Sequence, residues 1–366
     1  MALFSPSSAV LGLDIGTSSL KMVELLARRK GLEVATYAQA NLSNLLTEVV
    51  GDDADEIQAI ASVVSRMLEQ AGVATNKVVA ALPSSVVFST VLTLPVIPAQ
   101  DMEKAVTFAA RDVVPANLDE MVIGWSQLGQ PPQMKSASAA AAAGTGAPVV
   151  TGEKTVPVFL TAAPKELVTR YTKLMEQLHL ELVALEVETF PLARSLLSTP
   201  GEVALIADIG DRVTTFHIID SGTARMSHTI DYGGYAITAA IAQTMAASFA
   251  EAEQMKMAHG LGATASEKLR GAVALAMEKI LTQAQQLIAG YQRRAGVKVA
   301  KSVLIGGGAS LTGIVALWEA ALGHPAMVGN PWRGLAYPQE LDQRLLELGP
   351  TYAVAVGLAQ RGFIAV

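Results

Sequence analysis

The chain has 366 residues, which at about 150 residues per domain implies two domains or slightly more. It is 51% hydrophobic and 16% charged, so it can bury a sizeable core and is no disordered tail. The net charge of −6 argues against nucleic acid as a partner, because phosphate-backbone affinity needs a basic surface, and the absence of cysteine removes disulfides, thiolate nucleophiles and cysteine-ligated metals together.

The opening pattern reads as a strand (Val10–Leu13), a turn (Asp14-Ile-Gly-Thr-Ser18) and a second strand (Leu20–Leu26). The spacing then predicts an amphipathic helix over Asp55–Gln70, with Ile57, Ile60, Ala61, Val64, Met67 and Leu68 on one face. Val78–Leu82 and Ser85–Leu94 read as strands bounded by prolines. The stretch Val78–Gln100 carries no charge, but Pro83, Pro95 and Pro98 argue against a membrane-spanning helix. The N-terminus lacks the basic region and apolar core of a signal peptide. After a helix over Asp101–Val113, the alanine-, serine- and glycine-rich stretch 130–154 offers no large apolar groups to bury and reads as a mobile surface loop. A strand (Val156–Ala162), a helix (Lys165–His179), a strand (Leu182–Glu186) and a helix through Leu197 follow.

Then the opening returns. Leu205–Ala207, Asp208-Ile-Gly210 and Val213–Ile219 again read strand, turn, strand, with the second Asp-Ile-Gly 194 residues after the first. Helices are expected at Ala236–Ala247, Ala250–His259 and Ser266–Arg294. A strand, Lys301–Ile305, runs into Gly306-Gly-Gly-Ala-Ser310 and a helix, and Tyr352–Gln360 forms a last helix. A duplicated two-lobed α/β chain places its site between the copies.

A turn of Gly, Thr and Ser after a buried strand presents backbone amides and hydroxyls in a concavity, where small residues let phosphate oxygens approach. An aspartate at the strand end supplies a hard oxygen for hydrated Mg²⁺. Asp14-Ile-Gly-Thr-Ser has these parts, with Lys21 on the next strand as a phosphate point charge, and Asp208-Ile-Gly supplies a second carboxylate from the other lobe. Two such hairpins facing each other hold a triphosphate and its metal. The run at Gly306 is no dinucleotide fingerprint, since Leu311 stands where the third glycine belongs. The turn before Lys21 is no Walker loop, which needs a second glycine there.

In this order these residues resemble the actin-like ATPase superfamily, which includes actin, the sugar kinases, the heat-shock chaperones, MreB and FtsA. Leu13–Ser18 and Ala207–Gly210 are similar to its two phosphate motifs, Leu304–Ala309 to its adenosine motif, and Glu188–Ala193 and Tyr352–Gly357 to its two interdomain connections. Thr189 stands where the usual proline follows the glutamate. Within the superfamily the chain resembles the PilM family of type IV pilus assembly over nearly its whole length, apart from the alanine-rich stretch. Leu11–Leu25, Ala81–Pro83, Asp231–Gly234 and Gly329–Pro331 carry that resemblance.

The resemblance implies an α/β, duplicated actin-like (ribonuclease H-like) two-lobed ATPase fold with an FtsA/PilM-type inserted αβ subdomain. The first lobe is expected over 1–200, with the insertion at about 75–182. The second is expected over 201–350, and 351–366 forms a C-terminal helix crossing back. ATP or ADP is the implied cofactor. Asp14 and Asp208 would hold Mg²⁺ through water. Gly16, Thr17, Ser18, Lys21, Gly210, Gly233 and Gly234 would surround the phosphates, and Glu253, Lys256, Gly306, Gly307, Gly308 and Ala309 the nucleoside. Glu188, then Asp208, are the candidates for positioning an attacking water, with slow turnover expected. The implied partners are the cytoplasmic N-terminal tail of PilN, held beside the extra subdomain near Val78–Pro98, and other inner-membrane pilus platform proteins. Location is then cytoplasmic and peripheral to the inner membrane, without direct insertion; self-association stays open. A carbohydrate kinase is the rival from the enzyme class, but no convincing base aspartate stands in a suitable segment. An FtsA-like filament protein is disfavoured because no amphipathic helix follows Gly362–Val366.

Overall fold

Strands β1 (Ala9–Ile15), β2 (Ser19–Arg28) and β3 (Gly31–Asn41) form an antiparallel meander; after α1 (Asp53–Ala71), β4 (Lys77–Leu82) adds parallel to β1. The computed structural model describes residues 9–16, 18–42, 53–128, 155–197 and 201–364, so Thr17 and the alanine-rich stretch 130–154 lie outside the described residues. Side chains alternate along β1 and bury both of its faces. Leu11 and Leu13 pack with Val64 and Met67 of α1, whereas Val10 and Gly12 face the opposite side.

The chain then leaves this sheet. β5 (Phe88–Pro95), α2 (Ala99–Val113), β6 (Met121–Gln127) and β7 (Thr155–Pro164) build a separate three-stranded sheet in the order β5-β7-β6. Met102, Val106 and Ala110 of α2 cover one face against Leu92, Val158 and Leu160. Phe159 points the other way and meets Phe190 edge-on, with ring centroids 4.9 Å apart. α3 (Lys165–Gln177) and β8 (Glu181–Val187) return to the first sheet, whose order is β3-β2-β1-β4-β8. The inserted sheet therefore spans 88–164, and the expected 75–182 is too wide at both ends. Val78 and Ala80 of β4, and Leu174 and Met175 of α3, belong to the first lobe's core.

α4 (Thr189–Leu196) crosses to the second half, where the pattern repeats. β9 (Val203–Ile209), β10 (Thr214–Asp220) and β11 (Thr223–Ile230) form a second meander, followed by α5 (Gly234–Met245), α6 (Phe249–Ala258) and α7 (Glu267–Ala295). β12 (Lys301–Ile305), α8 (Ile314–Leu322) and β13 (Ala326–Val328) complete a sheet ordered β11-β10-β9-β12-β13, the order of the first. Helix ends follow local chemistry. Ser248 and Glu251 cap α6 reciprocally, Ser266 accepts from Leu269 N at the start of α7, and left-handed Gly296 ends it.

The last helix, α9 (Asp342–Arg361), starts ten residues before the expected Tyr352, because Gly349-Pro350 does not break it. Proline has no amide to give the Leu346 carbonyl, but Leu346 is exposed, so water can serve that group. α9 lies between the lobes. Its Ala353, Val354 and Leu358 share one buried cluster with Val10, Val79 and Ala81 of the first lobe and Ile206, Val303 and Ile305 of the second. Backbones meet closely along it: a Cβ on Gly12 would lie 2.0 Å from Ala355 O, and one on Gly357 2.0 Å from Pro191 O.

Candidate functional site

Both halves end their first strand with the same device. On β1 and β2, Asp14 pairs in register with Lys21, and the Gly16 amide closes the turn on Ser19 O at 3.1 Å. On β9 and β10, Asp208 pairs with Thr215, and the Gly210 amide closes on Val213 O at 2.9 Å. The two hairpins line a cleft of about 580 Å³ between the lobes, within the range of small-molecule sites, about 300–1,000 Å³.

The structure brings most of the expected residues to this cleft. Asp14, Gly16, Ser18, Lys21, Glu188, Asp208, Gly210, Gly234, Glu253, Lys256, Gly306, Gly307 and Gly308 all line it. Ala309 does not. It is buried in the second lobe's core, and Ser310 and Leu311 line the cleft instead. Gly233 stands behind the wall, where a Cβ would lie 2.4 Å from Gly210 O and 2.6 Å from Asp211 O. That closeness docks the start of α5 onto the second turn, through Gly234 N to Gly210 O at 2.9 Å and Tyr235 N to Asp211 O at 2.8 Å.

The glycine run divides its labour. Gly306 has φ +77, and a Cβ there would strike Asp208 Oδ1 and Ile209 O, so it is glycine for conformation and for space. Its amide donates to Pro350 O at 2.9 Å, tying the run to α9. A Cβ on Gly308 would press into the Ile209 side chain, whereas one on Gly307 would meet nothing within 4 Å. Gly307 is the flat face of the cleft.

Three carboxyls converge here, Asp14 buried and Asp208 and Glu188 partly buried. Burial pushes all three up: Asp14, Asp208 to about 6 and Glu188 to about 7. The charge of Asp14 raises both others, Lys21 opposes the rise at Asp14 and Asp208, and the Ser84 amide, 3.0 Å from Glu188 Oε2, opposes it at Glu188. Such a site is short of positive charge and fits a hydrated divalent cation with a polyphosphate. Among the described residues no three His, Cys, Asp or Glu side chains are grouped to hold a metal directly. Lys256 is engaged as well: it pairs with Glu253 at 2.7 Å and donates to Thr238 Oγ1 at 2.8 Å and Gly234 O at 3.1 Å.

Residues from distant segments complete the walls, among them Gln39, Asn41, Ser85, Asp211, Thr215 and Thr351. Of these only Thr215 has a signal in the sequence: it follows Asp208 at the interval that separates Lys21 from Asp14.

The sequence model of the type IV pilus assembly protein PilM matches residues 12–363. The chain belongs to the PilM family. A solved structure described as a PilM–PilN type IV pilus biogenesis complex is similar at 25% identity and a TM-score of 0.78, covering 98% of this chain and 100% of that one. The ethanolamine utilization protein EutJ from Carboxydothermus hydrogenoformans shares the fold at 17% identity and a TM-score of 0.55, covering 97% of this chain and 90% of that one. So does MreB5 of Spiroplasma citri bound to ADP, at 15% and 0.51, covering 96% and 95%. The PilM-family chain is thus a protein of type IV pilus assembly, and it shares the expected duplicated fold with MreB5. No helix among the described residues is long and apolar enough to cross a membrane.

Proposed function

We propose that this PilM-family protein binds Mg²⁺–ATP between its lobes and docks on an inner-membrane pilus platform by capturing the cytoplasmic N-terminal tail of PilN. The pair of equivalent Asp-x-Gly hairpins facing one cleft carries the nucleotide reading. Asp14 and Asp208 would hold the cation through water, Gly16, Ser18, Lys21 and Gly210 would take the phosphates, and Glu253, Lys256 and Gly307 the nucleoside. The cation would neutralise the carboxyl cluster and polarise the phosphate. Glu188 accepts a proton near neutral pH and is the candidate for orienting an attacking water, with turnover slow.

The PilN reading rests on family membership and on the fold shared with the PilM–PilN complex. Within Val78–Pro98, Val78–Leu82 are buried in the first lobe, whereas Val86 and Val96 are exposed beside the inserted sheet as anchors for a short apolar peptide. Location would then be peripheral, through the partner. Titration calorimetry on protein stripped of copurified nucleotide tests the first reading, and a synthetic PilN N-terminal peptide tests the second. Saturable peptide binding that survives Asp14→Ala supports two separate sites. No heat from ATP or ADP refutes the nucleotide reading.

A further inference from the structure

We infer that Arg212, at the tip of the second hairpin, is a parked phosphate ligand that turns into the cleft and makes the site prefer a nucleoside triphosphate over a diphosphate. This inference rests on the nucleotide reading above. The duplication places Arg212 first. Asp14 to Lys21 and Asp208 to Thr215 span equal intervals, so Arg212 occupies on the second hairpin the position of Ser18 on the first. Ser18 lines the cleft, and so does Asp211, the residue before Arg212.

Charge supplies the second argument. The cleft is lined by Asp14, Glu188, Asp208, Asp211 and Glu253 against Lys21 and Lys256, and Lys256 is already paired with Glu253. A polyphosphate adds negative charge to a wall that is acidic. A guanidinium is the side chain suited to answer it, since its fork of donors matches a terminal phosphate bidentately.

Third, the present contacts of Arg212 are loose. Its side chain is 64% exposed, its Nε lies 3.7 Å from Asp211 Oδ2, and its guanidinium rests 4.3 Å from the centroid of the Tyr235 ring. Tyr235, itself half-exposed, leans on Phe249 with centroids 4.8 Å apart, and its amide is bonded to Asp211 O. The ring is a resting place fixed to the same turn, and an exposed cation–π contact is weak enough to give way to a phosphate. Release of the terminal phosphate would return the arginine to the ring.

The test compares ATP with ADP by titration calorimetry, with Mg²⁺, on nucleotide-free wild type, Arg212→Ala and Tyr235→Leu. Arg212→Ala is expected to weaken ATP about tenfold while ADP changes by less than about twofold, with melting of the nucleotide-free protein unchanged. Tyr235→Leu is expected to keep the ATP preference. Equal losses for both nucleotides in Arg212→Ala, or no loss, overturn the inference and leave the nucleotide reading standing. A Tyr235→Leu variant that loses the preference as Arg212→Ala does also overturns it, because the effect then belongs to packing at the rim. Wild type that binds neither nucleotide overturns both.

Discussion

Replacing Glu188 by glutamine should make the nucleotide-free protein more stable, and only above the pH at which the carboxyl ionises. Glu188 lies partly buried beside Asp14 and Asp208, and desolvation lifts its pKa from 4.5 to about 7. The unfolded chain therefore releases this proton first. Below about pH 4.5 both states hold it and nothing is lost; from there to about pH 7 the folded state binds more protons, and stability falls as pH rises. At ~1.4 kcal/mol per pH unit the loss reaches up to ~3 kcal/mol, shared in part with the neighbouring carboxyls that titrate with it. Glutamine keeps an acceptor for the Ser84 amide and removes the charge. Melting scans from about pH 5 to 8 should show wild type losing stability up to about pH 7 and levelling off above it, with Glu188→Gln flatter and gaining ~2 kcal/mol at the alkaline end. Parallel profiles, or a variant less stable than wild type at about pH 8, would refute the electrostatic account.

The other expectations concern the same cleft and its seam. Asp14→Ala should abolish most of the rise in melting temperature that Mg²⁺–ATP gives wild type, read by thermal shift, because a ligand stabilises only the state that binds it. Gly307→Ala should leave urea stability within about 0.5 kcal/mol, since its Cβ meets nothing, yet weaken nucleotide in calorimetry by crowding the flat face. Gly12→Ala should cost ~2 kcal/mol or more in urea unfolding, because its Cβ would sit 2.0 Å from the Ala355 carbonyl, and a neutral result would show that α9 is free to move away.

The two hairpins were legible in the sequence because their chemistry is local. A buried strand, an aspartate and a small-residue turn lie within a few residues, and the repeat at Asp208 supplies its own control. What escaped the sequence was mostly structure at edges. β3 and β11 are outer strands of their sheets, and their polar residues, the partly buried Thr36 and Thr229 and the exposed Gln39 and Ser227 among them, carry little apolar alternation. Membership of a glycine run places Ala309 at the cleft, but only the bend at Gly306 decides which member faces the cleft and which faces the core. The early start of α9 was hidden by Pro350, since a proline whose freed carbonyl partner faces water does not end a helix. Gln39, Asn41 and Thr351 reach the cleft from segments far apart in the chain, with no short-range pattern to announce them.

The packing of α9 on β1 also sets an order of events during synthesis. Gly12 is covered by Ala355, and Val10 crowds the position of Gly362, so a strand made early is finished by residues made long after it. Until α9 leaves the ribosome, the face of the first sheet bearing Val10, Val79 and Ala81 lacks Ala353, Val354 and Leu358, and so do Val303 and Ile305 of the second lobe. Such contacts between segments far apart in the sequence close slowly and leave apolar surface open to chaperones or to other nascent chains. A chain cut at Gly349 would keep every strand of all three sheets and still lack the half of α9, from Pro350 on, against which Asp14's own strand is seated.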